Sequence, residues 1–409
     1  MAFDIRYLEE LAADGTLAGV EFDDGDREDQ EPFDPEKISI EPKVTSMDAV
    51  IRRLVQGSIR LAPAFQRNEV WDIERKSQLI ESMMLRIPVP MFYVAADEKG
   101  NWDVVDGLQR LTTIKDFILG REYMETKDEK FKGKGLKLNK LEFWGNKFDG
   151  LTFSELPESM VNRILETQFQ FTIINPGTPE DVKRNVFKRI NTGGMPLTPQ
   201  EIRHALYQGK SSELLAELVK SPDYKKAISN SVKDSRMAGR ELILRFLAFS
   251  IRNYTQYPKN SDMDAFLSDT MRIINWMPEL PEKEISKIFQ GGERPTLKFT
   301  DVDDLKNHFF KAMVRAHKLF GKHTFRKSYG SRNRSPINKT LFEVWGNLLA
   351  ELSEEQFNAL LSNSSRFNAE YNPLLDQQDT ANMISRHSWK YSGVKDRYEK
   401  FSSILNNYI

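Results

Sequence analysis

The sequence predicts an α+β chain, with an α/β domain over residues 45–210 and a mostly α-helical domain over 211–409. Two observations carry this expectation. Strand-like runs are confined to the first half: IRLAPAFQ (59–66), MFYVAA (91–96), NWDVVD (101–106) and QFQFTIIN (168–175). From about 211 onward apolar residues recur at helical spacing instead, as in SSELLAELVKS, RELILRFLAFSIRNY and KTLFEVWGNLLAEL. A chain of 409 residues, 39% hydrophobic and 29% charged, has the composition of a globular protein with room for more than one core.

The elements follow in order. Ser46 to Val55 reads as a short helix that ends at Gly57. Residues 59–66 read as extended, because Pro63 has no place inside a helix. Asp72 caps a helix whose Leu79, Ile80, Met83 and Met84 share one face, and Pro88 and Pro90 stop it. The runs 91–96 and 101–106 are joined by a turn at Lys99-Gly100, and a helix opens at Gly107 or Leu108 and ends near Gly120. Residues 121–150, rich in Lys and Gly, read as an irregular insertion outside the core. Thr178-Pro-Glu-Asp181 and Thr198-Pro-Gln-Glu201 each place Thr at an N-cap, Pro at the first helical position and an acid three residues after the cap. Val182, Val186, Phe187 and Ile190 form the buried stripe of the first of these helices, and Gly193-Gly194 ends it.

Charge is segregated although the chain carries only −1 in total. Residues 1–43 hold seven Asp and seven Glu against Arg6, Arg27, Lys37 and Lys43, a net of −10 that leaves +9 on the rest. Residues 1–44 therefore read as an acidic, flexible arm, either a solubilising tail or a cover over a basic surface. The segment 306–339 is the opposite: ten Lys or Arg and no acid. Phe309, Phe310, Met313, Val314, His317 and Phe320 recur there at helical spacing, so one side packs and the other stays basic. Such a surface attracts a phosphate backbone through counterion release. Lys318, Lys322, Arg326, Lys327, Arg332 and Arg334 are the DNA-binding candidates.

Zero cysteine excludes disulfides, thiolate zinc sites and cysteine nucleophiles. No apolar run approaches the roughly 20 residues that span a bilayer. MAFDIRYLEE has neither the basic nor the apolar region of a secretory signal, so a cytoplasmic protein with no membrane partner is expected.

The most informative stretch is Trp102-Asp-Val-Val-Asp-Gly-Leu-Gln-Arg-Leu-Thr-Thr-Ile114. A strand ends at Asp106, Gly107 permits a tight turn, and a helix begins. Free amides at a helix start attract anions, and a glycine lets a phosphate approach the backbone. Arg110, one turn in, suits a bidentate clamp on a phosphoryl group. Asp106 either holds magnesium or orients a water, or it simply caps the helix and pairs with Arg110.

The surrounding motifs form an ordered series. Pro63-Ala-Phe-Gln-Arg67, Trp71, a helix with Lys76, Pro88-Val-Pro90, VVDGLQRLTT, Phe187-Lys-Arg-Ile-Asn-Thr-Gly-Gly194 and Leu197-Thr-Pro-Gln-Glu-Ile-Arg203 follow one another. Together they resemble the N-terminal domain of GmrSD-type modification-dependent (type IV) restriction enzymes, which has a ParB and sulfiredoxin-like fold. The resemblance is strong over 45–210 and looser beyond, where Pro336-Ile-Asn-Lys-Thr-Leu-Phe-Glu343 has the family's flavour. It implies nucleoside-triphosphate binding and hydrolysis, linked to restriction of modified DNA. Asp106, Gly107, Gln109 and Arg110 match the family's Asp-Gly-Gln-Gln-Arg motif, with Asp106, Gln109 and Arg110 in catalytic roles and magnesium at Asp106. Leu108 replaces the first Gln, which weakens the case for hydrolysis more than for binding. Gln66 and Arg67 match an early Gln-Arg pair, and Arg189, Asn191 and Arg203 match the later motif. All five join the nucleotide-binding candidates, although Asn191 equally suits a turn cap.

The family's nuclease half carries a metal-binding histidine constellation. Here His204, His308, His317, His323 and His387 form no His-x-His or His-Glu-x-x-His pattern, so no HNH nuclease is expected and a separate nuclease subunit is implied. Gly209-Lys210-Ser211 fails as a phosphate loop, because the Gly required five residues earlier is His204. Two alternatives stay open: a non-catalytic ParB-like DNA-binding module and an interaction scaffold.

Overall fold

A computed structural model describes residues 9–12, 14–22, 39–61, 71–190, 197–289, 294–386 and 388–409, without the side chains of 189 and 190. The chain divides into two compact units, residues 32–197 and residues 198–409 together with 1–31. The sequence had placed that boundary near 210, and the difference reflects where the next helix packs.

The chain opens with a hairpin of β1 (Glu9–Leu11) and β2 (Leu17–Glu21). This is a correction to the flexible-arm expectation: residues 9–22 belong to the helical unit. The Val20 backbone bridges to Ile337, the amide of Lys233 donates to the Ala18 carbonyl, and Val20 itself is fully buried. Acidic composition concealed this because two of the acids point inward. Glu21 pairs with Lys327 and accepts from the Asn338 amide, and Glu10 meets Lys339 at 2.5 Å.

In the α/β unit, β3 (Ile40–Ser46) leads into α1 (Met47–Val55), then β4 (Ile59–Arg60), α2 (Ile73–Met84), β5 (Phe92–Ala96), β6 (Trp102–Asp106) and α3 (Leu108–Ile118). After the short helices α4 (Arg121–Thr126) and α5 (Gly145–Phe148) come α6 (Glu158–Leu165), β7 (Gln168–Ile174) and α7 (Glu180–Ile190). The sheet order is β3-β7-β5-β6-β4. Strand β5 runs antiparallel to β6 and parallel to β7, while β4 runs parallel to β6. Stacked Phe92 and Phe171, with Phe169 and Trp102 against them, fill the centre. Asp72 caps α2 as its sequence predicts, and Ser46, read as the first residue of a helix, is the cap of α1. Thr178 behaves differently from expectation: its hydroxyl donates to the Asn175 carbonyl at 3.0 Å, and α7 begins at Glu180.

Strand β3 was not foreseen. It carries Pro42 and is largely exposed, as suits an edge strand, so it lacks the apolar alternation that marks half-buried strands. The 121–150 insertion also proves more integrated than its composition suggests. Buried Glu81 accepts the amides of Glu142, Phe143 and Trp144, Ser77 accepts that of Asn139, and Leu138 and Leu141 enter the core.

The second unit is helical: α8 (Pro199–Leu206), α9 (Lys210–Leu218), α10 (Pro222–Ala227), α11 (Ala238–Ile251), α12 (Met263–Trp276), α13 (Glu282–Ile288), α14 (Val302–Phe320), α15 (Lys339–Glu351), α16 (Glu354–Ser362), α17 (Ser364–Leu374), α18 (Gln378–Ala381) and α19 (Tyr391–Asn406). Thr198 caps α8 in a reciprocal box with Glu201. Helix α11 is buried along its whole length, which its nearly all-round hydrophobicity demands, and it packs on α15 and α12. Charges inside this unit are neutralised in place. Glu343, fully buried, takes both Arg245 (2.9 Å) and Arg397. No helix among the described residues is long and apolar enough to cross a membrane.

Histidines make this unit pH-sensitive, His204 and His308 most strongly. Burial, with Arg240 nearby, pushes the His204 imidazole down to about 4, and burial beside Lys298 and Lys311 does the same to His308. The folded state therefore holds both neutral, while the unfolded chain protonates them near pH 6.5. Stability is complete above that pH and falls as pH drops toward about 4. Denaturant midpoints compared at pH 7.5 and 5.5 should show a loss of about 1 kcal/mol from fully buried His204 alone, and His204→Asn should flatten the profile.

Candidate functional site

The turn after β6 has the geometry that its sequence demands. Gly107 sits at φ +95°, in the left-handed region, and precedes α3 without a capping side chain. A Cβ there would fall 2.3 Å from the Phe92 ring, so both the conformation and the space require glycine. The first-turn amides of α3 lie at the end of the sheet where Asp106 ends. Strand β4 runs parallel to β6 beside it.

Arg110 folds back over this turn. Its Nη2 lies 2.9 Å from Asp106 Oδ2 and donates to the Met91 carbonyl at 3.2 Å, and Nη1 donates to the Pro90 carbonyl. The guanidinium lies over the Phe92 ring, 4.6 Å from its centroid. Its side chain is 12% exposed, against 38% for Asp106. Burial lowers the Arg110 pKa, and Asp106 acts in the opposite direction. The capping and pairing reading of Asp106 is thus realised as pairing alone. Its second oxygen, Oδ1, has no hydrogen-bond partner among the described residues. Gln109 is half-buried beside it.

The other sequence candidates divide sharply. Gln66, Arg67 and Asn191 lie outside the described residues, as does the side chain of Arg189. Arg203 belongs to the helical unit and is 2% exposed. It pairs with Asp264, meets Gln200 Oε1 at 2.9 Å and approaches Glu241 at 4.0 Å. This corrects its nucleotide assignment, because no donor of that guanidinium faces solvent. Two DNA-binding candidates are corrected likewise. Arg326 is spent on the Ser335 and Ile228 carbonyls and the Ser231 hydroxyl, and Lys327 on Glu21. Lys318, Lys322, Arg332 and Arg334 are exposed, although Arg332 pairs with Asp376 at 2.8 Å.

Among the described residues, no three of His, Asp and Glu gather as a metal cluster. A magnesium ion needs only one or two carboxylates when phosphate and water complete its shell. Asp106, half-exposed with Oδ1 open, meets that minimal requirement. The sequence did not announce the partners supplied by the backbone, the Pro90 and Met91 carbonyls. Carbonyl acceptors leave no side-chain signature.

A mixed sheet with a glycine turn between strand and helix, closed by an Asp–Arg pair, defines an α/β domain. Residues 51–208 match the family described as GmrSD restriction endonuclease, N-terminal domain. This stretch is thus similar to the N-terminal domain of GmrSD-type restriction enzymes, which suggests a role in a restriction system. Neither curated proteins nor solved structures yield a match.

Gly107→Ala combines a left-handed backbone with a collision against Phe92. Chemical denaturation should show a loss of at least about 2 kcal/mol, whereas Gly150→Ala, at φ +84° with open space around it, should lose clearly less.

Proposed function

We propose that the chain is a nucleoside-triphosphate-binding regulatory protein of a DNA-directed restriction system, acting with a separate nuclease. The observation that supports this reading is the turn at Gly107: an uncapped helix start, an αL glycine and an arginine folded over both. Helix-start amides and a guanidinium suit a polyphosphate.

The residues divide the work. Backbone amides of Leu108 to Arg110 meet phosphate oxygens at the turn. Arg110 exchanges two neutral carbonyl acceptors for a charged one, which is the stronger partner. Asp106 would hold a magnesium ion, which would neutralise phosphate charge. Withdrawing Arg110 from Pro90 and Met91 unties the entrance of β5, so ligand occupancy is coupled to the position of that segment. Leu108 adds no polar group to the turn, which favours binding and switching over rapid hydrolysis.

Calorimetric titration of ATP and GTP, with and without magnesium, tests this. Wild type should bind one of them with magnesium-dependent affinity. Arg110→Ala should lose at least tenfold, while Arg52→Ala, an exposed arginine paired only with Asp48, should not change. Equal and negligible heats in all three proteins would remove the proposal.

A further inference from the structure

A cavity of about 200 Å³ opens in the helical unit between the end of α14, the 321–330 segment, α15 and α17. Phe320, Phe325, Trp345 and Tyr371 line it. The Phe320 ring lies 5.4 Å from Trp345 and 5.6 Å from Tyr371, centroid to centroid. Trp345 Nε1 donates to Tyr371 Oη at 2.8 Å, so the polar atoms of these two rings are satisfied within the wall.

The polar lining is different. Asn368 and Asn372 stand one turn apart on α17 and are half-buried, and their side-chain amides have no hydrogen-bond partner among the described residues. Two amides offer donors and acceptors together. His323 is fixed by Ser328 Oγ and the Gly330 carbonyl, each at 3.0 Å. Burial keeps its pKa below the usual value, and the Lys322, Arg326 and Arg334 charges act in the same direction. Lys322, on the 321–330 segment, and Arg334, just beyond it, are exposed, and both charges act on His323. Beside them Arg332 lies 4.0 Å from the Tyr329 ring centroid and pairs with Asp376.

Size selects the occupant. An apolar cavity of about 150 Å³ admits a benzene ring, and whole small ligands need roughly 300 Å³ or more. This cavity therefore takes one heterocyclic ring system and leaves any sugar and phosphate outside. The half-buried Phe320 ring rewards a flat π-face, unpartnered amides reward an edge of donors and acceptors, and exposed cations reward phosphates.

We propose that this cavity receives a single nucleobase from a DNA strand, its ring against Phe320 and its edge on Asn368 and Asn372, with Lys322 and Arg334 on the flanking phosphates. A paired, stacked base cannot enter, so the site selects single-stranded DNA or a base extruded from a duplex. The proposal does not rest on nucleotide binding at Gly107.

Fluorescence anisotropy with a labelled single-stranded oligonucleotide, a duplex bearing one unpaired base and a fully matched duplex tests it. The first two should bind at least tenfold more tightly than the third. The Asn368→Leu/Asn372→Leu double variant should lose that preference while keeping the residual salt-dependent affinity. Lys322→Glu/Arg334→Glu should weaken all three DNAs, and Arg110→Ala should leave them unchanged. Unaltered thermal unfolding of the Asn double variant establishes that its fold is intact; if it unfolds early, Asn372→Ala and competition by excess free nucleosides replace it. Equal affinity for all three DNAs would overturn the proposal. So would an intact preference in the folded Asn variant, or nucleosides that bind there while oligonucleotides do not.

Discussion

The guanidinium of Arg110 is the interaction on which the α/β unit turns. It joins the end of β6, through Asp106, to the entrance of β5, through the Pro90 and Met91 carbonyls and the Phe92 face, from a position one turn inside α3. Three consecutive elements thus share one cation. Burial sets its worth: a charge that is 12% exposed is costly to leave without its partners. The same burial makes it a sensitive element, because any anion offered at Gly107 competes directly with those contacts.

The helical unit handles charge by another route. The most basic segment of the chain is not simply a basic face. Arg315, Arg326, Lys327 and Lys339 turn inward, onto the Leu349 and Leu352 carbonyls, the Ser335 carbonyl, Glu21 and Glu241. The N-terminal hairpin supplies Glu10 and Glu21 to this set. Acidic and basic extremes of the sequence are therefore partners in one unit, which explains why each looked unbalanced when read alone. What remains exposed, Lys318, Lys322, Arg332 and Arg334, is a smaller surface that in part borders the aromatic cavity.

Most of the α/β elements could be read from the sequence because local signals agreed with the fold. Asp72 and Thr198 announced their caps, and the runs around 92–96, 102–106 and 168–174 alternated as half-buried strands do. The glycine turn was readable for the same reason, since Gly107 must adopt a positive φ. What escaped depended on distant partners. Strand β3 exists because β7 offers it an edge. The hairpin is ordered by Ile337 and Lys327, more than 300 residues away. Arg203 looked like a nucleotide ligand by motif, yet Asp264, from another helix, claims it. Asn368, Asn372 and Tyr371 are unremarkable in a helical sequence and acquire meaning only when α14 and α15 close around them.

Amide hydrogen exchange at residues 107–111, followed with and without magnesium and a nucleoside triphosphate, is the most direct test of the anion-binding turn. The account requires slowed exchange at Leu108 to Arg110 together with faster exchange at Met91 and Phe92, as Arg110 leaves their segment. Unchanged exchange across both segments at saturating nucleotide, or protection confined to the helical unit, would contradict it.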